Sequence, residues 1–197
     1  MTLVDGKKGH GLAKAITIRV VGLDEYSHVR NLHARAMSSE SADCLTEAEI
    51  AAFIAFVRSP AYSDLLRGEN LYGAFIDGQL IGTASWHVNG DDGQVARVSS
   101  VFVDPMFMRL GIGGQLLTEV EARAFQSGFN QLGISATINA VPFFERAGYQ
   151  IASRGVKTLG PDCALPVAFL RKIVPRMTRT TQAKAAEPVK VAEPVKS

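Results

Sequence analysis

The segment from residue 95 to residue 128 constrains the fold most, because it contains a strand, a glycine-rich turn and a helix in direct succession. β-branched residues indicate the strand, and an Asp-Pro pair at 104–105 ends it. Gly111, Gly113 and Gly114 then open a helix whose apolar residues recur at helical spacing. We interpret the remaining chain as the support around this unit.

The turn at residues 111–114 predicts an anion site. The amides of a helix's first turn have no intrahelical partner and lie at the positive end of its dipole, so they attract phosphate. Taken alone, the turn is equally compatible with an ordinary helix start. The sequence does not match the dinucleotide-binding motif, because the third glycine of that motif would fall at Gln115 or Leu116. It does not match the phosphate-binding loop of nucleotide hydrolases either, because no Gly-Lys-Ser/Thr follows.

Two segments in the expected order resemble the GNAT acetyltransferase superfamily. VFVDPMFMRLGIGGQLL, residues 101–117, is similar to its acyl-coenzyme A signature, and NAVPFFERAGY, residues 139–149, is similar to its later helix and strand start. The resemblance implies an α/β fold with a central mixed β-sheet flanked by helices. It also implies transfer of an acetyl group from acetyl-coenzyme A to a primary amine by direct attack in a ternary complex.

The resemblance further implies a cofactor site. Backbone amides of residues 109–114 would hold the pyrophosphate, the strand at residues 101–103 would pair with the pantetheine arm, and one of its amides would meet the acetyl carbonyl. The implied cofactor-binding residues are Val101, Phe102, Val103, Arg109, Leu110, Gly111, Ile112, Gly113, Gly114, Asn139 and Phe144.

The chain departs from the superfamily pattern at two positions. Met108 replaces the usual Gln or Arg before the first glycine, and Phe144 stands where a tyrosine commonly protonates the thiolate. A phenyl ring has no proton to donate. His87 and Glu40 are the candidate catalytic bases, whereas His33 lies on an apolar helix face and is predicted to be a core histidine. A domain that binds acyl-coenzyme A as a sensor or accessory subunit is therefore the alternative function.

Length and charge predict one domain with polar ends. The 197 residues suffice for one sizeable core, predicted over residues 15–175, between a flexible segment at 1–14 and a disordered tail at 176–197 with a repeated Ala-Glu-Pro-Val-Lys. The net charge of +2 lies at the ends, since the body has 13 basic against 16 acidic side chains. This distribution argues against nucleic acid as a partner.

The sequence contains neither a metal motif nor a membrane signal. The two cysteines, Cys44 and Cys163, are far apart and are predicted to be free thiols, and no Cys/His cluster has metal-ligand spacing. The absence of a long apolar run or signal sequence predicts a cytoplasmic protein without membrane contact. The acceptor amine and the oligomeric state are left open, with a homodimer as one option.

Residue periodicity predicts the elements around the central unit. We expect a hairpin at the Asp77-Gly78 turn, continued as a meander through a second turn at residues 89–93, and a right-handed parallel crossover after the central helix. The predicted helices are 23–37, 46–58, 62–66 and 142–147, and the predicted strands are 16–21, 71–76, 80–88, 132–137, 149–156 and 164–173.

Overall fold

The computed structural model describes residues 16–41, 43–88 and 95–173. The predicted flexible segment at 1–14, the turn at 89–93 and the tail at 176–197 lie outside these residues. The strands are β1 (Thr17–Val20), β2 (Asn70–Ile76), β3 (Gln79–Val88), β4 (Val95–Val103), β5 (Gln131–Ala136), β6 (Gln150–Gly160) and β7 (Cys163–Ile173). The α-helices are α1 (Tyr26–Glu40), α2 (Glu47–Arg58), α3 (Pro60–Arg67), α4 (Ile112–Gln126) and α5 (Val141–Arg146).

The seven strands form one mixed sheet in the order β1-β2-β3-β4-β5-β7-β6. The predicted meander is confirmed, since β2, β3 and β4 pair antiparallel in succession. The crossover through α4 is also confirmed, because β5 runs parallel to β4. The last strand in the chain, β7, pairs with β5 on one side and β6 on the other, so β6 lies at the edge.

Local sequence explains where the helices begin and end. Thr46 accepts a hydrogen bond from the Glu49 amide while Glu49 accepts one from the Thr46 amide, which is the predicted capping box of α2. α5 ends at Arg146 with Ala147 as its C-cap, and the next residue, Gly148, has a φ of 90° that suits glycine. At Asp77 and Gly78 the φ angles are 48° and 80°, as a tight hairpin turn requires.

The sheet separates two apolar clusters. One face packs against α4 and α5, and its cluster includes Ile81, Leu116, Val120 and Leu132, all at most 1% exposed. The other face packs against α1, α2 and α3 through Val29, Leu32, Phe53, Val57 and Leu66, all at most 4% exposed. The result is a three-layer domain with helices on both faces of the sheet, as the resemblance implied. In the part of the chain that the structure describes, no helix is both long and apolar enough to cross a membrane.

Candidate functional site

The sheet opens between β4 and β5. The described pairing of these parallel strands ends at Val98 and Ile134, yet β4 continues to Val103 and β5 to Ala136. The diverging strands line a cavity of about 500 Å³. A strand edge without a partner strand presents amide and carbonyl groups to an extended ligand. This edge includes residues 101–103, which the sequence predicts to pair with pantetheine.

A β-bulge shapes the open edge of β4. Thr83 lies opposite Phe102 and Ser85 lies opposite Ser99, so β4 carries one extra residue between these pairs. Ser100, within that interval, has a φ of 53°, a conformation that few residues other than glycine adopt. The Thr83 hydroxyl donates to the Ser100 carbonyl at 2.7 Å. The strained residue is therefore held in place by the neighbouring strand.

Thr83 belongs to a buried chain of hydrogen bonds. Because its proton goes to Ser100, its oxygen accepts from His33 Nε2, 2.7 Å away. A neutral imidazole has one N–H, so His33 Nδ1 accepts from the Tyr62 hydroxyl, also at 2.7 Å. Burial lowers the pKa of His33 to about 3, which keeps the fully buried ring neutral. The predicted core histidine is confirmed, and it connects α1 and α3 to the bulge.

The glycine turn leaves a concave space at the start of α4. Arg109 and Gly111 have φ angles of 63° and 80°, and the first intrahelical bond runs from the Gln115 amide to the Gly111 carbonyl. The amides of residues 112–114 precede that bond and have no partner four residues back. A Cβ at Gly111 or at Gly114 would meet no heavy atom within 4 Å. These residues fit an anionic group such as a pyrophosphate.

Gly113 lies where three elements around the site meet. A Cβ there would lie 3.5 Å from both the Phe143 ring and Val103, so β4, α4 and α5 meet at this point. The next residue of α5, Phe144, is 4% exposed, packs edge-on against Phe143 and lines the cavity. Its ring provides no proton donor on this side of the cleft.

The segment after α1 approaches the same side. The Cys44 thiol donates to Asn139 Oδ1 at 3.2 Å, immediately before α5. Glu40 is the last residue of α1, one turn after Met37, which lines the cavity. Its role as a base stays a prediction. Cys44 and Cys163 are free thiols, as predicted.

A carboxylate that our sequence reasoning missed lies in the cleft. Glu69 stands between α3 and β2, and its side chain is only 6% exposed. Three serine hydroxyls donate to it: Ser85 at 2.6 Å, Ser99 at 2.8 Å and Ser100 at 2.9 Å. Three serines on two neighbouring strands were the signal in the sequence, since inward hydroxyls need a polar partner. The carboxylate organises the polar part of the cleft.

His87 approaches this carboxylate from β3. Its Nδ1 lies 3.3 Å from Ser99 Oγ and 3.6 Å from Glu69 Oε1. Because the Ser99 proton goes to Glu69, the contact favours the tautomer with hydrogen on Nδ1 and a lone pair on Nε2. Burial lowers the pKa of His87 below its ordinary 6.5, and Lys157 and Arg97 lower it further, while Glu69 opposes them. A neutral imidazole bordering the cavity is suited to accept a proton.

The structure brings part of the predicted site into one cavity. The cavity is lined by Val101, Phe102 and Phe144 from the cofactor prediction and by His87 from the base prediction. The glycine turn is not part of this lining; Gly113 lies beside Val103 and Phe143, each next in the chain to a lining residue. Among the residues that the structure describes, no group of three His, Cys, Asp or Glu side chains could hold a metal ion.

Comparison with known proteins identifies the group to which this architecture belongs. Residues 28–149 match the model of the Acetyltransferase (GNAT) family. An uncharacterised protein of Bacillus subtilis strain 168, YdhI, is 29% identical over 79 residues, which span 39% of this chain and 46% of that protein. The chain thus spans about half the length of this curated relative.

Solved structures show the same fold. A GCN5-related N-acetyltransferase structure from Rhodopseudomonas palustris has a TM-score of 0.71 at 21% identity, covering 80% of this chain and 95% of that one. The putative acetyltransferase YncA of Salmonella typhimurium, solved with acetyl-CoA, has a TM-score of 0.56 at 18% identity, covering 80% and 93%. With the family match extending over more than half of the 197 residues, the chain belongs to the Acetyltransferase (GNAT) family.

Proposed function

We propose that the protein transfers an acetyl group from acetyl-coenzyme A to a primary amine by direct attack in a ternary complex. One observation carries the proposal: a single cavity joins the open edge of β4 to a histidine that is held by a buried carboxylate. The family membership and the fold support the same activity. The predicted cytoplasmic location stays a prediction.

The donor would bind at the side of the cleft where the glycine turn lies. In the proposal, the amides of residues 112–114 hold its pyrophosphate, the edge of β4 at residues 101–103 pairs with its pantetheine arm, and Asn139 and Phe144 border the arm. When bound, acetyl-coenzyme A supplies the activated acetyl thioester. The open space beside Gly111 and Gly114 supports this placement, because side chains there would occupy it.

The polar end of the cleft would handle the proton of the acceptor. His87 Nε2 would accept the proton that the amine loses as its nitrogen bonds to the acetyl carbon, and Glu69, with Ser99, would orient the ring and stabilise the imidazolium that forms. The carbon–sulfur bond would break in the same transfer, and water would protonate the thiolate that leaves. Glu40 is a less supported candidate for this role. Because the amine must be uncharged to attack, a neutral base beside it is the group that the reaction requires.

The first test asks whether the glycine turn binds the phosphates of acetyl-coenzyme A. Gly114→Asp places a carboxylate where the phosphates would lie, and Gly114→Ala adds only a methyl group in the same open space. Acetyl-coenzyme A should raise the melting temperature of the natural protein and of Gly114→Ala, because a ligand that binds only the folded state stabilises it. The aspartate variant should lose this shift. An equal shift in both variants would exclude the glycine turn as the phosphate site.

The second test concerns His87. His87→Gln should lower kcat by roughly 10²- to 10⁴-fold, the range of a positioned base, and leave the acetyl-coenzyme A shift in melting temperature intact. His28→Gln, on the exposed part of α1, is the matched control and should change neither. Retained activity in His87→Gln would exclude His87 as the base.

The alternative function is a sensor or accessory subunit that binds acyl-coenzyme A. Phe144 supports this alternative, because its ring cannot donate a proton to the thiolate. Binding of acetyl-coenzyme A without thiol release in the presence of any amine would favour it.

The pH dependence provides an independent readout of the same base. Because the pKa of His87 lies below 6.5, kcat at saturating amine should be near its plateau at neutral pH and fall as the imidazole becomes protonated at lower pH. The Glu69 charge raises this pKa, so Glu69→Gln should move the acid limb to still lower pH while reducing kcat. An acid limb that moves to higher pH in Glu69→Gln would contradict the assignment.

A further inference from the structure

The cleft has a second part beyond the proposed donor site. Val101, Phe102 and Phe144 in the lining belong to the donor prediction, whereas a second wall comes from α2, α3, β6 and β7. We call this wall the acceptor chamber; its large apolar residues are Phe53, Phe56, Tyr62, Leu65, Leu159 and Leu165. The chamber opens onto Glu69 and His87.

The acceptor chamber is apolar and partly uncovered. Phe56 and Tyr62 pack edge to face at 5.2 Å, forming an aromatic wall. Leu65, on α3, is 38% exposed although it lines the cavity, and Leu159 of β6 is half-buried. Binding of an apolar ligand removes such apolar surface from water, which is favourable in free energy.

The charges in the chamber allow one ammonium group and no more. Among the described lining residues, Glu69 is the only carboxylate, and three serine hydroxyls and His87 already surround it. The other charged group in the described lining is Lys157, which repels a cation. A second ammonium on the acceptor would therefore find no second carboxylate in the described lining, and the repulsion from Lys157 and the cost of desolvation exceed the attraction that an aromatic face provides.

From this arrangement we infer that the acceptor is a compact primary amine on an apolar body, and that polyamines and aminoglycosides are poor acceptors. The inference rests on the proposed acetyltransferase function. Two sources share this chemistry: an arylalkylamine, and an apolar amino acid whose carboxylate would pair with Lys157. The cavity of about 500 Å³ must also admit the donor's acetyl end, which limits the acceptor to a small molecule.

An acceptor panel tests the inference. Thiol release from acetyl-coenzyme A by the full chain would be measured with phenethylamine, phenylalanine, spermidine, an aminoglycoside and a lysine-containing peptide. We expect kcat/KM for phenethylamine or phenylalanine to exceed that for the others by at least about tenfold, as apolar pockets discriminate by roughly 10- to 200-fold. Preference for spermidine, the aminoglycoside or the peptide overturns the inference and leaves the proposed function standing. No turnover with any amine overturns both.

A pair of variants tests the chamber directly. Leu65→Asp introduces a carboxylate on its partly exposed wall, and Leu23→Asp makes the same change at a leucine that is 68% exposed and outside the cavity lining. Leu65→Asp should raise KM for the apolar amine about tenfold, shift preference toward spermidine and keep the acetyl-coenzyme A shift in melting temperature. Leu23→Asp should behave as the natural protein. Unchanged KM and preference in Leu65→Asp would overturn the chamber as the acceptor site.

A lysine variant distinguishes the two sources. Lys157→Met should lower kcat/KM for phenylalanine relative to phenethylamine if the carboxylate of an amino acid is recognised, because the effect of Lys157 on the pKa of His87 is shared by both amines. An equal change with both amines identifies an arylalkylamine, within the same inference. Since Glu69 stays the only carboxylate of the described lining, spermidine should remain a poor acceptor of this variant, and spermidine as its best acceptor would contradict the single-ammonium argument.

Discussion

His33 illustrates how one residue can be assigned a protonation state from hydrogen-bond geometry. Both ring nitrogens have oxygen partners at 2.7 Å, and the two hydroxyls resolve the direction of each bond because Thr83 has only one proton to give. A charged imidazolium would need an acceptor at both nitrogens, and the Tyr62 hydroxyl would then have to reverse its bond. The neutral ring is therefore built into the fold.

This neutral ring predicts acid sensitivity. The pKa of His33 is about 3 in the folded state and about 6.5 when unfolded, so the unfolded chain binds more protons between these values and stability falls as pH decreases through that window. From pH 6.5 to pH 4 the loss from this residue should be about 3 kcal/mol. Denaturant unfolding should show a shallower pH slope in His33→Gln than in the natural protein, whereas His28→Gln should retain the full slope. Parallel slopes in all three proteins would contradict the assignment.

At the scale of elements, the bulge in β4 depends on β3 and, through His33 and Tyr62, on the helices α1 and α3. Its left-handed residue, Ser100, contributes its carbonyl to Thr83 and its hydroxyl to Glu69. The buried chain through His33 thus connects the helical layer to the strand edge where the donor would bind. A strained conformation persists only when surrounding contacts fix it, and here they come from β3 and from the segment between α3 and β2.

Removing the hydroxyl of Thr83 should loosen this edge. Thr83→Val keeps the shape but deprives the Ser100 carbonyl of its donor and His33 Nε2 of its acceptor, so we expect a loss of about 1–3 kcal/mol in the free energy of unfolding. We also expect kcat to fall with little change in the acetyl-coenzyme A shift. Thr83→Ser retains the hydroxyl and should recover turnover. If the serine and valine variants have equal kcat, the hydrogen bond does not support the active geometry.

At the scale of the whole molecule, an ion pair joins the central helix to the last strand. Lys172 Nζ of β7 lies 2.7 Å from Glu121 Oε2 of α4, and the two side chains are 20% and 11% exposed. The pair fixes α4 against the inserted strand on the face of the sheet that also holds α5. Arg123 and Glu119 form a comparable pair on the outer side of α4, where they are 49% and 31% exposed.

These two pairs predict different costs. Lys172→Met leaves a mostly buried carboxylate without its partner and should reduce the free energy of unfolding by roughly 3 kcal/mol. Arg123→Met removes an exposed pair that solvent screens and should cost much less than Lys172→Met. Denaturant titration of both variants measures the difference. Equal costs would show that the interior pair is no more important than the surface one.

Sequence patterns predicted the features that depend on residues close together in the sequence. The capping box at Thr46, the turn at Asp77 and the glycine turn at Gly111 each reside in a few consecutive residues, the parallel crossover follows from the order strand, helix, strand, and the structure contains all four. The Glu69 cluster was missed because Glu69 is 16 to 31 residues from its serines at 85, 99 and 100, which it meets only through the fold. The position of β7 inside the sheet was likewise inaccessible, since no local pattern specifies which edge a final strand joins.

The position of β7 also sets an order in time. A chain that is synthesised from its N-terminus can complete the meander, the glycine turn and α4 while β5 still has an unpaired edge, because residues 163–173 emerge after all of them. Until residues 163–173 are synthesised, the edge of β5 can pair with other chains. The cleft also lacks Leu165 and Val167, which line it in the complete fold. The elements proposed to bind the donor are thus finished early in synthesis, and the chamber proposed for the acceptor closes last.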